Sequence, residues 1–549
     1  MTVKLDVKPL VSDIDNYLQS VAEFGFYGTV LVGQRGEVLL NNGYGFASIE
    51  ERRKMTPDSV MSVGSISKQM TAVVILSLAE QGLIKVSHTL GNYFPTCPDD
   101  KRCITIHQLL RHTSGMVNFV GDDFDDIPRD QFVQKVFDVP LSHPPGSDFK
   151  YSNCGYSLLG IIIELVTGTS YTTYLPENFF EPLEMTKTGW FGDNKWINTE
   201  VTNYYVEGVN TGSIKSWKGP FWPLLANGGV CTTAHEMYSW IRGLEEEKLL
   251  TEESISQLLT PGIRNYAYGW DVGIHEEWGM HVRHNGGSDL GVNAEVHWFP
   301  EVQLVLVVLS NMMFGGEGAA FKVTPKILKA LGGTLLPNLS KHSFTTEDTQ
   351  TTLVGTYRLG DGSFELVNNN GIMFYYPIGQ SATSLFLEGQ KEKFQLFNKL
   401  ASEFVHMAEL GDYSQLGPLL SNPDRAEALG RLLETWKQEV SDEIGRVERV
   451  IVGGSYPLTN YGGATQIILV GTNGKTGFPL VWTSEARILG FRPLMSRSPF
   501  AVILRPTTED KVVGLMIESA IEVTFIGDGK SQITLVTSDS KVLTAVKGS

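Results

Sequence analysis

Ser65 and Lys68 stand three residues apart in Ser65-Ile66-Ser67-Lys68, a spacing that puts a hydroxyl and an amine on one face of a helix. Cβ atoms so spaced lie about 5–6 Å apart, within reach of a lysine side chain. A serine hydroxyl is a poor nucleophile until a neighbour takes its proton, and the amine is placed to do that. Gly64 allows a sharp turn into the helix. The run Thr71–Gly82 that follows is mostly apolar and ends in glycine, the pattern of a buried helix with a glycine stop. At the head of such a helix the positive end of the dipole favours a developing anion. A capping serine followed by a surface lysine has the same spacing, so the pair is read together with its company.

Two other segments carry polar groups that could meet this serine. Tyr151-Ser152-Asn153 follows His143-Pro144-Pro145-Gly146 and precedes the apolar run Tyr156–Leu165. Pro-Pro-Gly marks a tight loop, so Tyr151 and Asn153 are expected just ahead of a buried helix. His284-Asn285-Gly286-Gly287 precedes a strand-like run, Val292–Phe299, and a second strand follows at Val302–Asn311. Glycines before a strand let a substrate approach the backbone closely.

In order and approximate spacing these segments resemble the serine β-lactamase and penicillin-binding-protein superfamily. They are most similar to its class C-like branch of esterases, D-aminopeptidases and D-specific carboxypeptidases. Ile104–Gly115 and Leu225–Ala234 resemble further family segments, and the likeness covers roughly residues 10–335. It implies that Ser65 is the acylated nucleophile and that Tyr151 and Lys68 form the proton-handling pair. Free Tyr and Lys have pKa values near 10 and 10.4, too high for a base at neutral pH. A neighbouring ammonium would lower the phenol, or desolvation the amine, and either could then accept the Ser65 proton. The resemblance further implies that Asn153 orients Lys68 or hydrogen-bonds the carbonyl side of the substrate. Its oxyanion hole would be the backbone N–H groups of Ser65 and Gly287, approached past Gly286.

The chain departs from the β-lactamase pattern at His284 and Asn285, where that pattern has lysine and threonine. A permanent cation suits a substrate carboxylate, whereas an imidazole with an ordinary pKa near 6.5 is mostly neutral at pH 7. His-x-Gly is similar to the variant in D-aminopeptidases, some esterases and some D-specific carboxypeptidases. The expected activity is therefore a serine hydrolase acting on amide or ester bonds of small acyl or D-amino-acid-containing peptides. Two alternatives stay open. A β-lactamase or DD-peptidase of the same fold is opposed by His284. A non-catalytic, ligand-binding or assembly-forming relative is opposed by the joint presence of Ser65, Lys68, Tyr151 and Asn153.

Several other motifs are set aside. Lys187-Thr188-Gly189 has the surroundings of a post-helix turn. Lys475-Thr476-Gly477 follows Gly471-Thr472-Asn473-Gly474, but a phosphate loop needs glycine where Leu469 stands. Asn473-Gly474 between apolar runs reads as a hairpin turn. His235-Glu236 opens like a zinc-protease helix, yet Ser239 occupies the second histidine's place. His281 and His284 have no clustered carboxylate or cysteine beside them. Cys97 and Cys103 could pair, while Cys154 and Cys231 are isolated, so the four cysteines make no disulfide framework. No cofactor and no dedicated metal site are expected.

A length of 549 residues implies two or three domains, and 42% hydrophobic with 19% charged residues is ordinary for a globular protein. The net charge of −17 argues against nucleic acid and against an anionic membrane surface. Met1–Val7 has no long apolar run behind it, so neither a secretory signal nor a membrane anchor is expected, and the cytoplasm is the expected location. The partner is a small molecule or short peptide, and a homo-oligomer is left open.

These residues need elements to hold them. An amphipathic helix near 10–23 and a hairpin from Gly28–Gly33 and Glu37–Leu40, turned at Gln34-Arg35-Gly36, open the chain. Helical segments fill about 60–260, and the strands after His284 return to pair with the hairpin. That makes an α+β domain over 1–340, an antiparallel sheet flanked by helices with an all-helical subdomain. A helix near Ala319–Leu331 stops at Gly332-Gly333, and Pro337 to Gln350 reads as a linker. Short strands with hairpin signals at Val354–Val367 and Glu522–Gly529 resemble the lipocalin-like barrels appended to relatives, here 350–400 plus 498–549. Residues 402–450 read as helix, with Trp436, Val440 and Ile444 on one face, and strands follow at Gln466–Val470 and Phe478–Trp482. This gives 401–497 as a helix-plus-curved-sheet insert or third domain.

Overall fold

The computed structural model describes residues 5–337 except 197, 198 and 200, residue 339, and residues 353–548. Within the last span it leaves out 370, 388–390, 411–412, 424–425, 427–437, 439, 442–443, 459–462, 492–500, 509–510, 517–520, 528–531 and 538–541. Trp436, most of the expected linker and the expected boundary at 498 therefore lie outside the described residues.

Helix α1 (Val11–Ala22) buries Ile14, Leu18 and Val21 on one face. Strands β1 (Gly28–Gln34) and β2 (Glu37–Tyr44) form the opening hairpin. Helix α2 (Ser67–Glu80) is buried through Leu76 on every face. A 3-10 turn, Gly64–Ile66, leads into it, so Ser65 stands in that turn and not in the α-helix itself. Helix α3 (Asn153–Thr167) is capped by Ser152, whose Oγ accepts from the Gly155 N–H at 2.9 Å. Asn153 is thus its first residue and not part of the preceding loop. A second hairpin, β3 (Asn203–Val206) and β4 (Val209–Ser213), follows. Then come β5 (Asp271–His275), β6 (Gly279–Gly287), β7 (Asn293–Phe299), β8 (Leu304–Ser310) and helix α4 (Ala319–Leu331).

The six strands order as β5-β6-β7-β8-β1-β2, antiparallel throughout. β1, β7 and β8 are buried at all seven positions because helices cover both sheet faces. Leu31, Val296 and Val307 face α2 and α3 in one core, while Val30, Leu306 and Val308 face α1 and α4 in another. The strands after His284 do return to the opening hairpin, with Val30 opposite Val308. His284 to Gly287 precede strand β7, as read from sequence, and are themselves the end of β6.

Eight further strands, from Gly355–Leu359 to Val542–Lys547, close a barrel in chain order, with Tyr357 of the first opposite Lys547 of the last. Full closure leaves no edge strand. Tyr357, Phe364, Tyr375 and Phe525 fill its core. Between the third and fourth barrel strands, helix Lys391–Leu410 packs Phe394, Phe397 and Phe404 on Phe478 and Trp482 of a four-stranded sheet. This helix starts ahead of residue 402 and crosses the expected 400/401 boundary. Residues 447–450, expected to be helical, open the strand Val447–Tyr456. The barrel rests on the first domain: Phe374, Tyr376 and Ile503 share a core with α1 and Phe314, and Arg505 pairs with Glu23 at 3.1 Å. All four cysteines are free, so Cys97 and Cys103 are not bonded. Among the described residues no single helix is long and apolar enough to cross a membrane.

Candidate active site

Lys68 is completely buried, its Nζ 3.1 Å from Ser65 Oγ and donating to the Asn227 carbonyl at 2.7 Å. Tyr151 lies within interaction range of Ser65, and Lys68 Nζ is 4.8 Å from its ring centroid. Burial pushes the Lys68 amine well below its ordinary value, with only Asp123 opposing. Burial also pushes the Tyr151 phenol up, although the interaction with Ser65 works against it. Of the two ways sequence left open for making a base, desolvation of the amine is the one these directions favour. Burial thus favours the uncharged form of each group, the amine of Lys68 and the phenol of Tyr151.

Strand β6 brings the second backbone amide. The Ser288 N–H donates to Val292 O, and hydrogen-bonded pairs alternate along an antiparallel ladder. Gly287, opposite Asn293, is therefore at a non-hydrogen-bonded position and its N–H points away from β7. The turn before Ser65 lies against this strand: a Cβ at Gly64 would come within 3.0 Å of Gly287 N. A Cβ at Gly286 would collide with Val63 O and stand 3.0 Å from Ser65 N. Glycine at 286 is what allows the two segments to meet.

His284 is 8% exposed, with Nδ1 2.6 Å from Asn285 O and Nε2 3.1 Å from Tyr266 Oη. Assigned from this network, Nδ1 carries the proton and Nε2 accepts from the phenol. Burial, reinforced by Lys68, pushes its pKa down to about 3. His284 is therefore neutral throughout the physiological range. Asn153 donates its N–H to Asn118 Oδ1 at 3.0 Å, and its own Oδ1 is buried with no partner among the described residues. No bond joins it to Lys68; the Asn227 carbonyl holds that amine instead. His281 points to the opposite face of β6, with Nε2 2.9 Å from His297 Nδ1.

Three residues of the site had no role assigned from sequence. Asn227 lies in the segment Leu225–Ala234, and its Nδ2 donates to Ser157 Oγ at 2.9 Å and Pro223 O at 2.7 Å, which fixes its carbonyl. His112 lies within the segment Ile104–Gly115 at a φ of 55°. Its carbonyl accepts from Lys150 N–H at 2.8 Å and its Nδ1 from Ser152 N–H at 3.1 Å. Its ring lies 4.1 Å, centroid to centroid, from that of Tyr151 between them. Asp123, half-buried, makes no hydrogen bond or ion pair among the described residues; burial raises its pKa and Lys68 opposes that. No motif in the sequence marked it.

The family model described as Beta-lactamase matches residues 16–326, more than half of the chain. Protein flp of Staphylococcus aureus (strain MRSA252) is 27% identical over 305 residues, 52% of this chain and 59% of that protein. The chain thus spans less than two thirds of Protein flp. The putative penicillin-binding protein PbpX of Bacillus subtilis (strain 168) is 29% identical over 300 residues, 54% of this chain and 73% of that protein. Two solved structures share the fold. The octameric penicillin-binding protein homologue from Pyrococcus abyssi covers 99% of this chain and 100% of its own at 18% identity, TM-score 0.53. The D-amino acid amidase from Ochrobactrum anthropi SV3 covers 59% of this chain and 99% of its own at 19% identity, TM-score 0.52. With its signature residues gathered around Ser65 and the family model spanning 16–326, the chain belongs to the beta-lactamase family.

Proposed function

We propose that the protein is a serine hydrolase that forms an acyl-enzyme on Ser65 and cleaves amide or ester bonds of small acyl or D-amino-acid-containing peptide substrates. The observation that carries the reading is the buried Lys68 amine 3.1 Å from Ser65 Oγ. As Oγ attacks the carbonyl carbon, its proton passes to the neutral amine. The oxyanion is met by the N–H groups of Ser65 and Gly287. Tyr151, still protonated, gives its proton to the departing nitrogen or oxygen, and Lys68 restores it. Water then enters by the same route in reverse and releases the acid.

Two features favour substrates bearing an amine over those bearing a carboxylate. His284 offers no cation. Asp123 offers an unpaired carboxylate within the electrostatic reach of Lys68. On the same reading Asn153 and Gly286 line the substrate's approach, the hydrolase unit is 1–340, and the barrel and its insert are appended units. The reading keeps the protein in the cytoplasm and includes a homo-oligomer, which the octameric fold relative supports over 99% of the chain; sedimentation measures the latter.

The test is a panel of D- and L-aminoacyl anilides, nitrophenyl esters and a chromogenic cephalosporin, with acyl capture by mass spectrometry. Ser65→Ala is expected to lose the adduct and several orders of magnitude in turnover, the usual cost of a missing nucleophile. A Ser65→Ala enzyme that keeps a tenth of the activity ends the acyl-serine reading.

A further inference from the structure

Glu207 is a carboxylate only 4% exposed at the tip of the β3–β4 hairpin, and the chemistry above makes no use of it. The hairpin turns through Glu207 and Gly208 at φ 49° and 77°, positive values that match the twist of the flanking strands. Its tip is seated on the barrel. Tyr376 Oη donates to Glu207 Oε2 at 2.9 Å, and Asn369 Nδ2 donates to Glu207 O at 3.1 Å. A side chain at Gly208 would press on Asn369 O and on Phe374, 3.0 and 3.1 Å away.

The body of the hairpin is seated on both segments that carry the oxyanion amides. The Ser62 N–H, three residues ahead of Ser65, donates to Tyr204 Oη at 2.6 Å. Thr211 Oγ1 donates at 2.6 Å to Leu290 O, in the turn that follows Gly287. Gly291 in that turn lies so close to β3 that a Cβ would stand 2.6 Å from Tyr205 O. The ribbon is held between these contacts by Tyr205 N–H to Asn311 O at 2.9 Å and Glu207 N–H to Met313 O at 2.8 Å. A strand rises about 3.3 Å per residue, so Glu207 and Tyr204 lie roughly 10 Å apart along one strand, whose pairing with β4 shifts register between Tyr204 and Tyr205.

We infer that Glu207 and Tyr376 are positioning residues: through their contact the barrel sets the hairpin that spaces the Ser65 and Gly287 amides. The inference rests on the acyl-serine reading given above. Oxyanion donors act only when they stand about 2.7–3.1 Å from the developing charge, and a misplacement of about 1 Å costs about 10²-fold in rate. A shift passed from the tip to Tyr204 and Leu290 therefore reaches the chemistry without touching substrate.

The test uses the full chain with Tyr376→Phe, Glu207→Gln and the two combined. It measures kcat and KM on the best ester of the panel, and the affinity for phenylboronic acid, which adds to a serine oxygen as a tetrahedral anion. Expected is a fall of roughly tenfold in both kcat and boronate affinity with KM within about twofold, and a double variant no worse than the singles. Variants that fold, keep kcat and boronate affinity within about twofold of wild type, or move KM alone, overturn the inference. Should either chain fail to fold, Asn369→Ala removes only the bond to the Glu207 carbonyl and is judged by the same criteria. A wild type that takes no boronate overturns the acyl-serine reading and this inference with it. A wild type that takes it while folded variants behave identically overturns the inference alone.

Discussion

On the proposed mechanism, protonation of Lys68 removes the base, so the burial of its amine decides how far into acid activity persists. Its pKa is lowered in the folded protein, hence the neutral form persists to lower pH than a free lysine allows, and activity falls as pH drops through the lowered value. Tyr151 is raised, so its proton is lost only above the ordinary range near 10. The profile of kcat/KM on a neutral ester should therefore have an acid limb set by Lys68 and no limb near 6.5 from His284, which is already neutral above about 3. A limb near 6.5 that disappears in His284→Gln would contradict the assignment. Lys68→Met should cost about 10²–10⁴-fold in acylation, the range for a positioned general base. At this scale Ser65, Lys68 and Tyr151 were legible because each belongs to a short local motif. Asn227 and His112 were not, although both lie in segments the sequence marks. Their work is done across the fold: Asn227 meets Lys68 from 159 residues away and His112 meets Ser152 from 40.

Strand β6 can lie against the turn that carries Ser65 only because Gly286 has no side chain. In Gly286→Ala the methyl would collide with Val63 O, a backbone atom that cannot rotate aside, and β6 would have to move off Ser65. That should cut kcat by about 10²-fold or more while the fold, followed by circular dichroism, persists. Gly273→Ala on the neighbouring β5, where a Cβ meets nothing within 4 Å, is the control and should be silent. Equal losses in both variants would remove Gly286 from its place in the site. β1, β2, α2 and α3 were legible from periodicity, since each buries a regular face or all faces. The end of β6 was not, because His-Asn-Gly-Gly has little strand preference of its own and is held there by pairing with β7. The misreading of 447–450 as helix has a similar cause. The apolar spacing of Val440 and Ile444 runs straight on into Val447, where the β-branched residues of Val447–Tyr456 pair with a neighbouring strand instead.

At the scale of the whole molecule, hairpin signals announced the β-rich C-terminal part and the resemblance to appended lipocalin-like barrels its closure, but neither the pairing that closes it nor its seat is in the local pattern. Both depend on contacts between distant residues, such as Tyr357 with Lys547 and Arg505 with Glu23, that no local pattern encodes. Net charge, by contrast, is read directly from sequence and has a kinetic consequence here. On the proposed reading, a chain of −17 with a carboxylate at Asp123 in the electrostatic reach of Lys68 attracts a cationic substrate over distance and then holds it locally. Salt screens the first effect, with a Debye length falling from about 30 Å at 0.01 M to about 3 Å at 1 M. On a D-aminoacyl amide, kcat/KM should therefore fall severalfold across that range, whereas a neutral nitrophenyl ester should hardly respond. Asp123→Asn should raise KM for the amide by roughly tenfold, leave the ester unchanged and keep most of the salt dependence, because it removes one charge of many. The comparison separates the two contributions: the variant reports the local contact and the salt series the field of the whole. If ester and amide respond alike to salt, or Asp123→Asn weakens both equally, the preference for an amine-bearing substrate is mistaken.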